Sequence, residues 1–146
     1  MAELVHGTAV ALAGRAALIR GPSGAGKSDL ALRCLAQPRS VLVPSAVGLV
    51  ADDQVALTVS GNRIFLAPPK AIRGRIEVRG IGIVTVPSVA RAELRLVVDL
   101  VTHAPIERHP DPLPTIELLG VGVPRLEVLA FEGSAPLKVL ITLQRI

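Results

Sequence analysis

Eight consecutive residues near the amino terminus have the types and spacing of a phosphate-binding loop. In order, they are Gly21, Pro22, Ser23, Gly24, Ala25, Gly26, Lys27 and Ser28. They match the pattern G-x-x-x-x-G-K-[ST] in full, and chance would give about 0.002 matches in a chain of this composition. Glycines allow successive N–H groups to turn toward phosphate oxygens. In this pattern the Lys27 ammonium reaches the β and γ phosphates of a nucleotide and the Ser28 hydroxyl ligates Mg²⁺.

An acidic pair supplies the carboxylate partner that such a loop requires. Asp52 and Asp53 follow the apolar run 49–51, which is typical of a short buried strand. Carboxylates near one metal need not share one pKa, so one can face Mg²⁺ or its waters while the other accepts a proton from an attacking hydroxyl. The alternative is a solvated turn. With a phosphate loop upstream, we predict a catalytic pair.

The hydrophobic pattern predicts the elements that must hold these groups. Strands are expected at residues 4–12, 16–20, 49–51, 55–59, 63–67, 83–86, 94–101 and 126–129. Helices are expected at residues 27–36 and 135–144. Residues 37–48 form an irregular insertion, and residues 72–82 are rich in Arg and Gly. With no repeat or linker, residues 1–146 are predicted to form one α/β or α+β domain.

Composition excludes several classes of protein. The chain has two Phe and no Trp or Tyr, so a nucleic-acid module that stacks bases on aromatic rings is excluded. The longest uncharged run, residues 40–51, is shorter than the about 17–25 residues of a membrane helix. The first four residues show no basic start or apolar segment of a secretion signal. Cys34 is the only cysteine and forms no intrachain disulfide, which favours the reducing cytoplasm.

Several motifs, taken in chain order, resemble the catalytic domain of HPr kinase/phosphorylase. The segments are residues 5–7, 18–32, 49–55 and 76–84, with a weaker match at 123–126. The most specific is Glu77-Val78-Arg79-Gly80-Ile81-Gly82, since phosphate loops occur in many enzymes. The resemblance covers nearly the whole chain and is to a short, single-domain form of the family.

This resemblance implies a fold and an activity. The expected fold is a P-loop-containing α/β core similar to that of phosphoenolpyruvate carboxykinase, with a mixed sheet and few helices. The family uses ATP and Mg²⁺ to phosphorylate a seryl residue of HPr, a small phosphocarrier of the sugar phosphotransferase system. It can also remove that phosphate with inorganic phosphate, releasing pyrophosphate. A homo-oligomer, a hexamer in the family, is implied as well.

Residue roles follow from the resemblance position by position. Asp53 becomes the general base of the kinase step and the general acid of the reverse, and His6 lies near it and tunes its proton. Glu77 becomes the second metal ligand, and Asp52 is left to face the metal. Arg125 corresponds to the family's late catalytic arginine, although it follows a proline directly where the family has Pro-Gly-Arg.

Two other functions remain open from the sequence. A small-molecule P-loop kinase or NTPase would need a mobile lid with several arginines, for which residues 73–79 are the candidate segment. A nucleotide-binding regulatory module without catalysis would act through partner contacts. The presence of Lys27, Ser28, Asp53 and Glu77 argues against the silent module.

Overall fold

The computed structural model describes residues 2–103 and 106–146. Within them the strands are β1 (Glu3–His6), β2 (Thr8–Leu12), β3 (Arg15–Arg20), β4 (Val47–Ala51), β5 (Gln54–Ser60), β6 (Arg63–Ala67), β7 (Arg75–Val78), β8 (Gly82–Thr85), β9 (Ala92–Val101), β10 (Thr115–Leu118) and β11 (Val121–Leu129). The helices are α1 (Lys27–Leu35), α2 (Ala135–Arg145) and a short 3-10 turn at Lys70–Ile72.

One large mixed sheet organises the molecule. Its strand order is β1-β5-β6-β9-β3-β2-β4, and β11 joins β9 while β10 pairs with β11. The pairs β3–β9 and β9–β11 are parallel, whereas β2 runs antiparallel to both β3 and β4. Strands β3, β4, β9 and β11 therefore all end at the same edge, where β2 begins. The expected mixed α/β class with few helices is confirmed.

Apolar side chains fill both faces of this sheet. On one face, α1 contributes Leu30 and Cys34, and α2 contributes Val139 and Leu143, all fully buried. Burial raises the pKa of the Cys34 thiol to about 12, so this cysteine is a packing residue. The opposite face packs residues of β5 and β6 against those of β2, β3 and β9. Neither described helix has the length and apolarity needed to cross a bilayer.

The predicted strand at residues 4–12 is broken at Gly7. A Cβ at this position would lie 2.9 Å from Leu18 Cδ1 and 3.1 Å from the Ile19 carbonyl oxygen, so a larger residue would require these neighbours to shift. The Gly7 N–H donates to the carbonyl of Asp53 instead of continuing a ladder (3.1 Å). The residues before Gly7 therefore pair with β5, as β1, and those after it pair with β3 and β4, as β2.

The structure also contains strands that the sequence pattern did not predict. Residues 72–82, described from the sequence only as rich in Arg and Gly, contain β7, which pairs with β8 as a separate hairpin. In β7 only Ile76 is fully buried, so the apolar signal of this strand is weak. The last strand begins at Val121, not at residue 126, and β10 precedes it in a hairpin. The turn of this hairpin, Leu119-Gly120, has positive φ at both positions, and leucine is an uncommon residue there.

Candidate functional site

The phosphate-loop segment connects the end of β3 to the start of α1. The Ala25 N–H donates to the Pro22 carbonyl (3.0 Å), which closes a tight turn. Gly24 and Gly26 have φ of 82° and 101°, a region that favours glycine. The first N–H groups of α1 have no intrahelical partner, and the helix dipole favours negative charge at this end. The strand, loop and helix context required by the motif is therefore present.

Lys27 is folded back over the loop. Its Nζ donates to the carbonyl oxygens of Gly21 (2.8 Å) and Pro22 (3.1 Å). These carbonyl contacts place the ammonium group at the mouth of the loop. A bound phosphate oxygen would offer a stronger, charge-assisted partner at the same location.

Asp52 connects three elements through hydrogen bonds. Its Oδ1 accepts from Ser28 Oγ (2.6 Å) and from Thr8 Oγ1 (3.1 Å), and its Oδ2 accepts from the Glu77 N–H (3.0 Å). The residue is 7% exposed. Asp52 thus fixes the Ser28 hydroxyl at the start of α1 and holds the β7–β8 hairpin beside it. Thr8 was not predicted as a site residue, because no sequence motif marks its hydroxyl.

Asp53 turns away from its neighbour into a pocket. Its φ of 68° is the left-handed conformation, which aspartate tolerates better than most residues. The Asp53 N–H donates to Thr8 Oγ1 (3.5 Å), and His6 lies opposite Gln54 in the β1–β5 ladder. His6 is therefore beside Asp53, as the resemblance implies.

The pocket has a volume of about 840 Å³, within the about 300–1,000 Å³ usual for ligand sites. Five predicted site residues line it together with most of the phosphate loop: His6, Lys27, Ser28, Asp53 and Glu77. Asp52 and Arg125 do not belong to its lining. The structure thus brings together residues that are up to 71 positions apart in the sequence, since His6 and Glu77 share one cavity.

The pocket has oxygen donors of the kind that Mg²⁺ prefers. Among the described residues, no group of three or more His, Cys, Asp or Glu is arranged to hold a metal. Mg²⁺ sites of kinases do not need such a group, because one or two carboxylates act with substrate phosphates and waters. The Ser28 hydroxyl and the Glu77 carboxylate line the pocket beside the phosphate loop, so the residues present fit Mg²⁺ bound with a nucleotide.

Arg125 lies outside the pocket in a charged network. Asp99 on β9 accepts two hydrogen bonds from Arg20 (both 2.8 Å) and one from Arg125 Nε (2.5 Å). Arg125 also contacts Glu127 (3.4 Å). Burial alone would raise the pKa of Asp99, but the two arginines outweigh it and hold this pKa below its ordinary value. Since Arg20 directly precedes Gly21, the network anchors the end of β3 where the phosphate loop begins.

The Asp99→Asn variant is expected to lower the free energy of unfolding at pH 7 by about 1–3 kcal/mol, because two partly buried guanidinium groups lose their charged acceptor. The folded-state pKa of Asp99 is depressed, so its stabilisation is complete above the unfolded value of about 3.9 and disappears as pH falls through the folded value. Denaturant titrations from pH 7 to pH 2 should therefore show the gap between parent and variant closing below about pH 4. Glu117→Gln, on an exposed position of β10, is the control. A gap that is constant with pH would contradict this assignment.

Comparisons with known proteins agree with the motif order. The family model described as HPr Serine kinase C-terminal domain matches residues 1–143. HPr kinase/phosphorylase of Acidovorax sp. (strain JS42) is 33% identical over 141 residues, covering 88% of this chain and 42% of that protein. HPr kinase/phosphorylase of Lactobacillus acidophilus is 35% identical over 109 residues, covering 69% of this chain and 31% of that protein. The chain thus spans less than half the length of these curated relatives.

A solved structure resembles the whole fold. It is the Hpr(Ser) kinase/phosphatase from Coxiella burnetii, with a TM-score of 0.77 and 27% sequence identity. The alignment covers 98% of this chain and 88% of that chain. The similarity therefore extends over nearly the whole chain.

Proposed function

The chain belongs to the HPr serine kinase C-terminal domain family, and from this we propose that it transfers the γ-phosphate of ATP to a seryl hydroxyl of an HPr-like phosphocarrier protein. The observation that carries the proposal is one pocket lined by Lys27, Ser28, Asp53 and Glu77. These four residues supply the phosphate contact, the metal contacts and the proton acceptor that phosphoryl transfer needs. The reverse reaction, phosphorolysis with release of pyrophosphate, is part of the proposal.

The phosphate loop is proposed to hold the β and γ phosphates. The loop and the start of α1 supply backbone N–H groups, and Lys27 would exchange its carbonyl partners for phosphate oxygens. The strand–loop–helix order and the large mixed sheet support a P-loop kinase core similar to that of phosphoenolpyruvate carboxykinase.

Ser28 and Glu77 are proposed to hold Mg²⁺ with the nucleotide. A metal ion held by these two residues would supply positive charge against the negative charge that develops on the phosphates during transfer. Asp52 acts here mainly by fixing the Ser28 hydroxyl, because its two oxygens are engaged by Ser28, Thr8 and the Glu77 N–H. In this arrangement Asp52 supports the metal site through Ser28.

Asp53 is proposed to move the proton. It is exposed in the pocket, so it can accept the proton of the attacking serine hydroxyl and return it when the reaction runs backward. His6 lies beside it and can exchange that proton with solvent. Arg125 is proposed as a positioning residue that acts through Asp99 and Arg20 on the start of the loop.

A labelled transfer assay tests this function. The protein, Mg²⁺, ATP labelled in the γ-phosphate and a purified HPr-type carrier should give label on the carrier's serine, and a carrier with that serine replaced by alanine should receive none. Excess EDTA should stop transfer, because it removes the Mg²⁺ that Ser28 and Glu77 are proposed to hold. Transfer that persists in EDTA would contradict the metal assignment.

The same assay separates the two rival functions. Label that appears in a small molecule when no carrier is present would identify a small-molecule kinase. Of the candidate lid segment 73–79, Arg79 is the arginine that lines the pocket. ATP binding without transfer to any acceptor would identify a regulatory module. A hexameric assembly and a cytoplasmic location stay predictions, the first tested by sedimentation of the purified chain and the second by fractionation of cells.

A further inference from the structure

Phe131 is an exposed aromatic ring at the rim of the pocket. It is one of the two phenylalanines of the chain, and it lies in the connection between β11 and α2. It is 74% exposed, yet it lines the same pocket as Lys27 and Ser28. An exposed ring of this size costs hydration free energy unless something covers it. The proposed roles of the pocket residues above do not use it.

The ring rests directly on the phosphate loop. A Cβ at Gly26 would lie 2.9 Å from Phe131 Cζ and 3.1 Å from Cε1, so the ring packs on the bare backbone of this glycine. Gly26 is the last residue before α1. Gly26 thus lets the ring lie close to the loop backbone, and its φ of 101° is a conformation that favours glycine.

Hydrogen bonds from α1 hold the Phe131 segment in place. Arg33 donates to the Ala130 carbonyl and to the Glu132 carbonyl (3.2 Å), the residues on either side of the ring. Arg33 is itself held by Asp29 (2.9 Å), one turn earlier in α1. The ring is thus presented from an anchored backbone, so a ligand that contacts it does not have to order this segment of the chain.

The sheet order places Phe131 on the side of the phosphate loop opposite to the acidic residues. Strand β3, which leads into the loop, lies between β9 with β11 on one side and β2 with β4 on the other. Asp53 follows β4, whereas Phe131 follows β11. A triphosphate that lies on the loop with its γ end toward Asp53 therefore directs its nucleoside end to the side of Phe131.

We propose that Phe131 stacks on the base of the bound nucleotide and sets the preference of this site for nucleotides over polyphosphates without a base. This proposal rests on the proposed function, because it takes the loop as the phosphate site. Every base has a π face, so stacking on one ring discriminates little between ATP and GTP. It discriminates strongly between ATP and inorganic tripolyphosphate, which has the same chain of phosphates and no base.

Binding of these two ligands to the full chain tests the proposal by calorimetry in the presence of Mg²⁺. Phe131→Ala should weaken ATP binding by about 5- to 150-fold, the range expected for loss of one base–aromatic stack, and leave tripolyphosphate binding unchanged. The matched control is Phe65→Ala. That ring lies outside the pocket between Arg63 and Arg91 (5.0 and 3.7 Å from the guanidinium carbons to its centroid), so both affinities should stay at the parent's values.

The possible outcomes separate the stacking role from the proposed function. Unchanged ATP affinity in Phe131→Ala, or an equal loss for ATP and tripolyphosphate, overturns the stacking role, the second because it indicates a distorted loop. Lys27→Ala is the companion variant, expected to weaken both ligands. If it weakens neither, the loop is not the phosphate site and the proposed function fails, whatever Phe131 does.

A spectroscopic variant gives an independent readout. The chain has no tryptophan, so Phe131→Trp introduces a single indole at the proposed stacking position. This variant should retain ATP binding, because an indole also stacks, and its emission should change when ATP is added but not when tripolyphosphate is added. The same emission response to both ligands would contradict contact with the base.

Discussion

The Lys27→Ala variant is expected to lose at least about 10²–10³-fold in kcat/KM for phosphoryl transfer, comparable to removal of one charge-stabilising donor from other active sites. Lys27 is the loop's charged side chain, and its ammonium lies against the carbonyls of Gly21 and Pro22. Phosphate oxygens carry full negative charge. The ammonium group stabilises this charge more in the transition state than in the ground state. The loss should therefore appear in the rate of transfer as well as in nucleotide affinity.

The fold of this variant should survive. Lys27 is only partly buried and contacts the backbone of its own loop, so the free energy of unfolding should change by no more than about 1 kcal/mol. Lys70→Ala is a matched control, since Lys70 is exposed in the 3-10 turn and does not line the pocket. Steady-state kinetics and denaturant unfolding of both variants are the measurements. Parent-like transfer by Lys27→Ala would show that the loop does not bind the reacting phosphates.

The parts of the site that the sequence predicted are those with a local pattern. The loop requires glycines, a lysine and a serine at fixed spacing, and each acts through backbone conformation or charge within a few residues. The acidic pair follows an apolar run that is short and fully buried in β4. Strands β2 and β3 pair as neighbours in the chain, as do β5 and β6, and their apolar periods and turn residues indicated them.

The parts that the sequence did not predict depend on contacts between distant residues. Asp99 is one of several acidic residues in the chain, and its position between Arg20 and Arg125 depends on the parallel pairing of β9 with both β3 and β11. Phe131 follows a strand whose start was misplaced, and its contact with Gly26 joins positions far apart in the chain. The sequence did contain a signal in each case. Asp99 is a charged residue inside an apolar strand, and Phe131 is one of the chain's two aromatic residues and lies in a loop.

The different environments of Asp52 and Asp53 show why adjacency alone did not assign their roles. The sequence allowed either residue to face the metal or the attacking hydroxyl. In the fold, Asp52 is buried with both oxygens hydrogen-bonded, whereas Asp53, which has a left-handed φ, is exposed and lines the pocket. The fold thus separates a buried, hydrogen-bonded carboxylate from an exposed one in the pocket, and the second is the proposed proton acceptor.

The Asp53→Asn variant is expected to slow transfer in both directions by about 10²–10⁴-fold, the usual contribution of a general acid or base. Asparagine is the suitable replacement, because it tolerates the φ of 68° that Asp53 adopts and has the same shape, whereas alanine would add backbone strain. The affinity for Mg-ATP should stay near the parent's value. Asp53 contacts the attacking hydroxyl in the proposed reaction, and the nucleotide is held by the loop.

Glu77→Gln is the contrasting variant. Its side chain lines the pocket as a proposed metal ligand, and its backbone N–H, which the substitution leaves in place, still donates to Asp52. This variant should weaken Mg-ATP binding along with the rate, so calorimetry separates the two carboxylates where rates alone do not. Transfer and phosphorolysis, each measured with labelled carrier, should fall together in Asp53→Asn, because the proton returns along the path by which it left. If Asp53→Asn kept normal rates, Asp53 would have only a structural role and another group would have to accept the serine proton. If the variant lost only nucleotide affinity, Asp53 would belong with the metal contacts instead.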